Sequence, residues 1–238
     1  MPAPTDNLTV LFKGGRLSTW HRLSRPQQQA YEQEHVDLML DISHKHGLQR
    51  LEGFRLLTPQ KAWERFWLIQ FPNLEAAHAW IKAEMAPPYG PSGYYEYYLS
   101  RAGLPEYCAD WVINPQPDVK PSTNEPHKIP SLAAAFTSAV ALLFEREEPE
   151  HNNEVPTAYL KAMRQVSHQA GLQKLECFEL LTPQTDWHRV WLAELPTLET
   201  AETWIQSEKG PAHGYLKDRS FALTRKWAPD YFASWIAK

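Results

Sequence analysis

His35 is the residue best suited to acid–base chemistry, because it interrupts an otherwise apolar stripe. Tyr31, His35, Leu38 and Ile42 recur at i, i+4, i+7 and i+11, the spacing of one helix face. Near neutral pH an imidazole on such a face can act as a base, an acid or a ligand. The alternative is a core histidine that bonds one backbone carbonyl. His35 is therefore a candidate catalytic residue.

Glu84 and its counterpart Glu208 stand near the end of a second predicted helix, on its apolar side. A carboxylate in that position needs hydrogen-bond donors, or its pKa must rise. One interpretation is that it accepts backbone N–H groups of the following loop. The other is a catalytic role, and we group Glu84 with His35 and Tyr95 as the candidate catalytic set.

Aromatic side chains are abundant, with ten Trp, ten Tyr and nine Phe. Such residues fill cores and also line pockets for flat apolar ligands. Period-2 alternation places Tyr95 on the same strand face as Tyr97. Arg65 and its counterpart Arg189 are interpreted as members of cross-strand ion pairs. The candidate ligand-binding residues are Tyr31, Arg55, Trp67, Trp80 and Tyr159.

The sequence lacks the motifs of several common kinds of active site and metal site. The sequence has no glycine-rich phosphate loop, no G-x-S-x-G elbow and no Cys-x-x-Cys spacing. His44 and His46 are two residues apart and would point to different helix faces, so no metal site is expected. Cys108 and Cys177 stand in different halves of the sequence, which predicts neither a disulfide nor a zinc site and favours a reducing compartment.

The net charge of −4 and the lack of a Lys/Arg cluster argue against a nucleic-acid partner. The N-terminus has no basic segment followed by a long apolar run, and no stretch of about 18 apolar residues follows. The sequence therefore predicts a cytoplasmic protein without a membrane partner.

The chain contains an internal repeat. Residues 47–112 align with residues 171–236 at a constant offset of 124, without a gap, and about 30 of the 66 positions are identical. A period of this length indicates a duplicated domain rather than a solenoid. We predict a first repeat at 1–112, a proline-rich linker at 113–130 and a second repeat at 131–238.

Each copy is predicted to have the order β-α-β-β-α-β. The first strand of copy one, Leu8–Lys13, is aligned with Val140–Glu145. The first helix begins at Ser24-Arg25-Pro26 and ends at Gly47, and its stripe in copy two is Val155, Tyr159, Ala162 and Val166. The remaining predicted elements of copy one are strands at 50–57, 65–71 and 94–101, a helix capped by Asn73, and a short helix at 105–111.

This order is the ferredoxin-like split-βαβ motif. The duplicated α+β sequence resembles the dimeric α+β barrel superfamily, in a tandem form. The resemblance implies two ferredoxin-like repeats whose sheets bury their bare faces in an intramolecular pseudo-dimeric α+β barrel. The superfamily includes cofactor-free monooxygenases, cyclases and lyases, haem-binding proteins similar to chlorite dismutase, and units of no known activity.

Three functions stay open, and the sequence does not decide whether the protein is an enzyme. The first is a cofactor-independent oxygenase, cyclase, isomerase or lyase acting on a flat apolar or aromatic compound. The second is a non-catalytic ligand-binding or stress-associated module. The third is a haem protein, with His168 as axial ligand; alternatively His168 only caps its helix. We expect no cofactor unless haem binds, a small-molecule ligand, and either a monomer or a homodimer.

Overall fold

The computed structural model describes residues 7–58, 63–113, 138–146, 155–182, 184, 186–209, 219–229 and 232. The chain divides into two compact units. Of the described residues, unit 1 holds 7–58, 63–100, 227–229 and 232, and unit 2 holds 101–113, 138–146, 155–182, 184, 186–209 and 219–226.

Unit 1 has the predicted order of strands and helices, with one short additional helix. Its antiparallel sheet has the order β2-β3-β1-β4, so the first strand lies in the middle and pairs with both β3 and β4. The elements are β1 (Leu8–Arg16), α1 (Ser18–His21), α2 (Arg25–His46), β2 (Arg50–Leu56), β3 (Arg65–Phe71), α3 (Leu74–Glu84) and β4 (Gly93–Ala102).

The helix boundaries follow from capping residues in the sequence. Ser24 precedes α2, and its backbone N–H donates to Gln27 Oε1 at 2.9 Å, which completes a capping box. Gly47 ends the helix at φ 67°, a left-handed conformation that costs glycine little. Asn73 caps α3 by accepting the Ala76 N–H at 2.9 Å. These three predictions are confirmed.

The buried face of α2 differs from the predicted stripe. The helix buries His35, Val36, Met39 and Ser43, whereas Leu38 is 36% exposed. In unit 2 the corresponding helix buries Tyr159, Met163, Ser167 and Ala170. The stripe prediction was wrong at Leu38, whereas Ile42, Val155 and Val166 are partly buried against the cores. The prediction followed apolar residue types and therefore skipped the two serines that face the core.

Unit 2 repeats the arrangement. Its antiparallel sheet has the order β6-β7-β5-β8. The core between sheet and helices includes Met163, Trp191 and Trp204. The elements are β5 (Ala139–Glu145), α4 (Thr157–Ala170), β6 (Lys174–Leu180), β7 (Arg189–Leu195), α5 (Leu198–Lys209) and β8 (Arg219–Lys226).

The tail of each sequence copy belongs to the compact unit built on the other copy. Cys108 and Trp111 are buried in unit 2, and a 3₁₀ turn at Glu106–Cys108 replaces the predicted short helix. Phe232 is buried in unit 1. The boundaries at 112 and 131 stay a prediction, since 114–137 lie outside the described residues and the predicted linker falls almost entirely there.

Candidate functional site

His35 and Glu84 form a buried pair in unit 1. His35 lies on α2 and Glu84 is the last residue of α3, and Nε2 of the imidazole is 3.4 Å from Oε2 of the carboxylate. Their side chains are 3% and 14% exposed. Nε2 of His35 therefore faces a carboxylate. The alternatives of a backbone-carbonyl partner for His35 and of loop anchoring by Glu84 stay predictions.

Cationic neighbours keep Glu84 ionised. Burial opposes its charge, but His35, Arg65 and Arg16 together outweigh the desolvation and hold the pKa of the Glu84 carboxyl below its ordinary value. A carboxylate next to an imidazole can orient the ring and stabilise its protonated form. The pair is thus equipped to transfer a proton to or from a bound molecule.

Stacking on an aromatic ring also restrains the imidazole of His35. The ring of Tyr89 lies parallel to that of His35, with centroids 3.9 Å apart and an interplanar angle of 8°. Trp20 packs edge-on against Tyr89, and the Arg16 guanidinium lies 4.0 Å from the Trp20 ring and 4.2 Å from the Tyr89 ring. This arrangement limits rotation of His35 and holds Nε2 toward Glu84.

The pair borders a small cavity inside unit 1. The space open to the centre of a water molecule is about 20 Å³, enough for about one water. Sites for drug-sized ligands are larger, roughly 300–1,000 Å³. The cavity is lined by Phe12, His35, Leu51, Arg65, Trp67, Ile69, Trp80, Glu84, Tyr89 and Phe232.

Trp80 brings an unmatched donor to this cavity. Its indole Nε1–H is buried and has no acceptor within hydrogen-bond reach among the described residues. The equivalent Trp204 in unit 2 donates to Ser167 Oγ at 3.0 Å. The matching Ser43 instead donates its hydroxyl to the Leu40 carbonyl at 2.7 Å. Since buried N–H groups are nearly always bonded, Trp80 indicates a place for a polar atom of a ligand or a water.

Tyr95 is close to the pair but does not line the cavity. Its ring stacks on Phe12, with centroids 5.8 Å apart, and on Tyr97. Its hydroxyl is buried without a hydrogen-bond partner in the described part of the chain. Burial and the nearby Glu84 raise the pKa of Tyr95, so it stays neutral. A catalytic role for Tyr95 stays a prediction.

The structure brings together only some of the predicted ligand-binding residues. Trp67 and Trp80 line the cavity with His35 and Glu84. Three others do not: Arg55 is exposed on β2 over the ring of Trp227, Tyr31 is half-buried on α2 away from the lining, and Tyr159 belongs to unit 2.

Strand register corrects the sequence alignment of the two first strands. Gly14 lies opposite Arg65 on β3 and Tyr95 on β4. Glu145 lies opposite Arg189 on β7 and Arg219 on β8. Because Arg189 and Arg219 are the counterparts of Arg65 and Tyr95, the equivalent of Glu145 is Gly14. The alignment with Lys13 was wrong by one residue, which the ungapped pattern of apolar residues could not reveal.

The equivalent positions of unit 2 form an ion network. Glu208 accepts from Tyr159 at 2.9 Å and pairs with Arg219. Glu145 pairs with Arg219 at 3.0 Å and accepts the Trp191 Nε1–H at 3.1 Å. Burial opposes the charge on Arg219, but Glu208, Tyr159 and Glu145 outweigh it and raise the arginine pKa. In this network two arginines, Arg189 and Arg219, pair with the buried carboxylates Glu145 and Glu208.

Several residues of the unit 1 site were missed by the sequence analysis, among them Arg65, Gly14, Tyr89 and Phe232. Arg65 was assigned to a cross-strand ion pair, and Gly14 was hidden by the shifted alignment. Tyr89 stands in a loop before β4 and Phe232 in the distant tail, and neither position follows from helix or strand periodicity.

Other candidate chemistry is limited. Among the residues that the structure describes, no group of three or more His, Cys, Asp or Glu is placed to hold a metal ion. Cys108 and Cys177, which stand in different halves of the sequence, both lie in the unit 2 core, and neither is in a disulfide. Burial raises the pKa of the Cys108 thiol to about 12, which makes it a poor nucleophile.

No described helix is long and apolar enough to span a membrane.

Comparison with solved structures places the chain in a known α+β fold. A mutant chlorite dismutase from Candidatus Nitrospira defluvii has a TM-score of 0.70 and 12% identity, with 98% of this chain and 97% of that chain covered. The same dismutase in complex with imidazole has a TM-score of 0.64 and 11% identity, with 94% of this chain and 92% of that chain covered.

A heme-binding protein from Thermus thermophilus is also similar, with a TM-score of 0.63, 10% identity and 98% of both chains covered. No family model matches the sequence. No curated protein matches it either. The chain therefore has a mixed α+β fold similar to that of chlorite dismutase, and this similarity concerns the fold alone.

The described side chains do not fit a haem. A haem iron needs an axial ligand such as an imidazole that faces a large cavity. Nε2 of His168, the predicted axial ligand, instead lies 2.7 Å from the Asp110 carbonyl oxygen. His35 faces a cavity of about 20 Å³. The helix–sheet space of unit 2 holds the ion network described above.

Proposed function

We propose that unit 1 binds a small aromatic molecule and that His35, held by Glu84, transfers a proton to or from it. The observation that carries this proposal is the buried His35–Glu84 pair, 3.4 Å apart at the edge of a cavity. The pair makes the site an acid–base centre without a cofactor, in line with a cofactor-independent enzyme.

The walls of the cavity support an aromatic ligand. Phe12, Trp67, Trp80 and Tyr89 present ring surfaces, and flat rings pack well on such surfaces. The charged and imidazole groups are few, namely His35, Arg65 and Glu84, which is typical of small-molecule sites. Since the space is small, binding requires a side chain such as Phe12 to move.

Binding is tested by fluorine NMR on protein labelled with 5-fluorotryptophan. Phenol, benzyl alcohol, indole and benzoate serve as probes at millimolar concentration, and the variants Trp80→Phe and Trp204→Phe assign the two resonances. We expect at least one probe to shift the Trp80 resonance while the Trp204 resonance stays in place. If no probe shifts Trp80, the proposed site is wrong.

Proton transfer is tested by calorimetry of the bound probe in two buffers with different ionisation enthalpies. A heat that depends on the buffer shows that protons are taken up or released on binding. His35→Gln should remove this dependence, whereas His44→Gln, an exposed residue of the same helix, should keep it. If the wild type shows a buffer dependence and His35→Gln keeps it unchanged, His35 is not the group whose protonation changes on binding.

Haem binding is the second candidate function, because solved structures of similar fold include a heme-binding protein. Only the fold supports it, since His35 faces a cavity of about 20 Å³ and His168 contacts the Asp110 carbonyl. The test is titration of the purified protein with haemin, followed by absorbance near the Soret band. A stoichiometric Soret shift that is lost in His168→Ala would favour haem over the His35 site.

The arrangement of the two units belongs to the same proposal. The ferredoxin-like order of each sheet and the repeat in the sequence support a tandem pseudo-dimer, and the intramolecular barrel and the oligomeric state stay predictions. If a ligand binds and no proton is transferred, the protein is instead a binding or stress-associated module without catalytic activity.

A further inference from the structure

Helix α3 brings a hydrogen-bond acceptor and a donor to the same cavity. Glu84 and Trp80 are four residues apart on this helix, so they share a face, and both line the cavity. Glu84 is ionised and lies 3.4 Å from Nε2 of His35. An ionised carboxylate can accept about four hydrogen bonds and donates none. Glu84 therefore has acceptor capacity beyond its contact with His35.

Unit 2 gives the equivalent carboxylate a second donor that unit 1 lacks. Glu208 accepts from the Tyr159 hydroxyl at 2.9 Å and also pairs with Arg219. The counterpart of Arg219 is Tyr95, whose hydroxyl makes no hydrogen bond within the described part of the chain. Glu84 is thus without the donor that Arg219 supplies to Glu208.

Trp80 supplies the donor side of the cavity. Its buried Nε1–H has no acceptor among the residues that the structure describes. Its counterpart Trp204 donates to Ser167 Oγ at 3.0 Å, so unit 2 satisfies the equivalent N–H with its own side chain. Because buried N–H groups are nearly always bonded, an acceptor atom from outside the chain is expected at Trp80.

The charges and the volume of the cavity favour a neutral group. Arg65, the arginine of the lining, already has a carboxylate partner, since its Nε lies 3.8 Å from Glu64 Oε1. The ionised Glu84 would repel a second carboxylate beside it. The space open to the centre of a water molecule is about 20 Å³, which fits a single oxygen atom. A neutral group of this size that both donates and accepts is a hydroxyl.

We infer that the unit 1 ligand is a neutral aromatic molecule with a hydroxyl group, such as a phenol, whose hydroxyl donates to Glu84 and accepts from Trp80. This inference rests on the proposed function and names its ligand class. The hydroxyl takes a space that fits one water, and the ring packs beside Trp67 when Phe12 moves aside. Water offers the same donor and acceptor, and the experiment separates the two sources.

The inference is tested with phenol and fluorobenzene, which are similar in size and shape but differ in that only phenol has a donor. Binding is measured by calorimetry and by the fluorine resonance of 5-fluorotryptophan at Trp80. We expect phenol to bind at least tenfold more tightly than fluorobenzene. Phenol should also bind at least tenfold more tightly than benzoate, because Glu84 opposes the charge of benzoate.

Variants test the two contacts separately. Trp80→Phe removes the donor and Glu84→Gln removes the charged acceptor, so each should lower the ratio of phenol affinity to fluorobenzene affinity at least threefold. Trp204→Phe, the matched change in unit 2, should keep the ratio of the wild type. The ratio is measured within one variant, so a general loss of affinity cancels. The comparison of probes on the wild type needs no variant to fold.

The outcomes separate this inference from the proposed function. If fluorobenzene or benzoate binds as well as phenol, or if both Trp80→Phe and Glu84→Gln keep the wild-type ratio, the hydroxyl inference is overturned and the aromatic site stands. If no aromatic probe shifts the Trp80 resonance, both are overturned. A nuclear Overhauser effect from water to the Trp80 Nε1–H that persists at saturating phenol would show that water occupies the place, and it also overturns the inference.

Discussion

The ring of Phe12 lies directly over Gly14 on the same face of β1. A Cβ added to residue 14 would come within 2.1 Å of the ring carbon Cζ of Phe12, far inside van der Waals contact. Residues two apart on a strand share a face, and only glycine leaves room for the ring in this position. Gly14 therefore determines where Phe12 packs against the cavity.

Gly14→Ala is expected to destabilise the protein by about 1–3 kcal/mol, the cost of overpacking a filled core. Urea unfolding of the variant and the wild type measures the difference. The double variant Phe12→Leu/Gly14→Ala should recover part of the loss, because leucine does not reach residue 14 with a ring. A double variant no more stable than Gly14→Ala would show that Phe12 is not the cause.

Glu84 is expected to stabilise the folded protein in a pH-dependent way. Its folded-state pKa is below the ordinary value of 4.5, so its contribution is fully present above pH 4.5 and is lost as the pH falls through the lower folded-state pKa. Glu84→Gln should therefore cost most near neutral pH and progressively less in acid. Urea unfolding at a series of pH values measures this difference.

Glu75→Gln is the matched control for that series. Glu75 lies in the first turn of the same helix and is exposed. Its removal should cost only about 0.3–1 kcal/mol through the helix dipole. If the two variants show the same loss at every pH, Glu84 has no special stabilising contact with His35, Arg65 and Arg16.

Glu145→Gln should be among the more damaging single substitutions in unit 2. It removes a buried carboxylate that contacts Arg189 and Arg219, and breaking a buried ion pair costs about 3–5 kcal/mol. Glu179→Gln removes another partner of Arg189, but that side chain is 49% exposed, so we expect about 0–1 kcal/mol. Thermal unfolding of both variants measures the contrast, and equal effects would contradict the role of Glu145.

The two core serines offer an internal comparison. Ser167→Ala leaves the buried Trp204 N–H without its acceptor and should cost about 1–3 kcal/mol. Ser43→Ala, at the equivalent place in unit 1, removes no bond from Trp80 and should cost clearly less. Chemical unfolding of the two variants gives the values. A larger effect at Ser43 would mean that Trp80 is bonded in solution through this serine.

The sequence by itself determined the elements and their repetition. Ser24, Asn73 and Gly47 fix helix ends through local hydrogen bonds and backbone conformation, which depend on a few neighbouring residues. The identity between residues 47–112 and 171–236 predicted that both units would share one order of strands and helices. Local rules of this kind can be read without knowing what a segment packs against.

Only the tertiary structure decided the site. The contact of His35 with Glu84 joins two helices, Phe232 reaches the cavity from the distant tail, and the equivalence of Gly14 with Glu145 depends on strand register. Each of these depends on which segments pair across long sequence separations. A shift of one residue in such pairing changes every neighbour while leaving the apolar pattern almost unchanged, so the sequence pattern did not specify it.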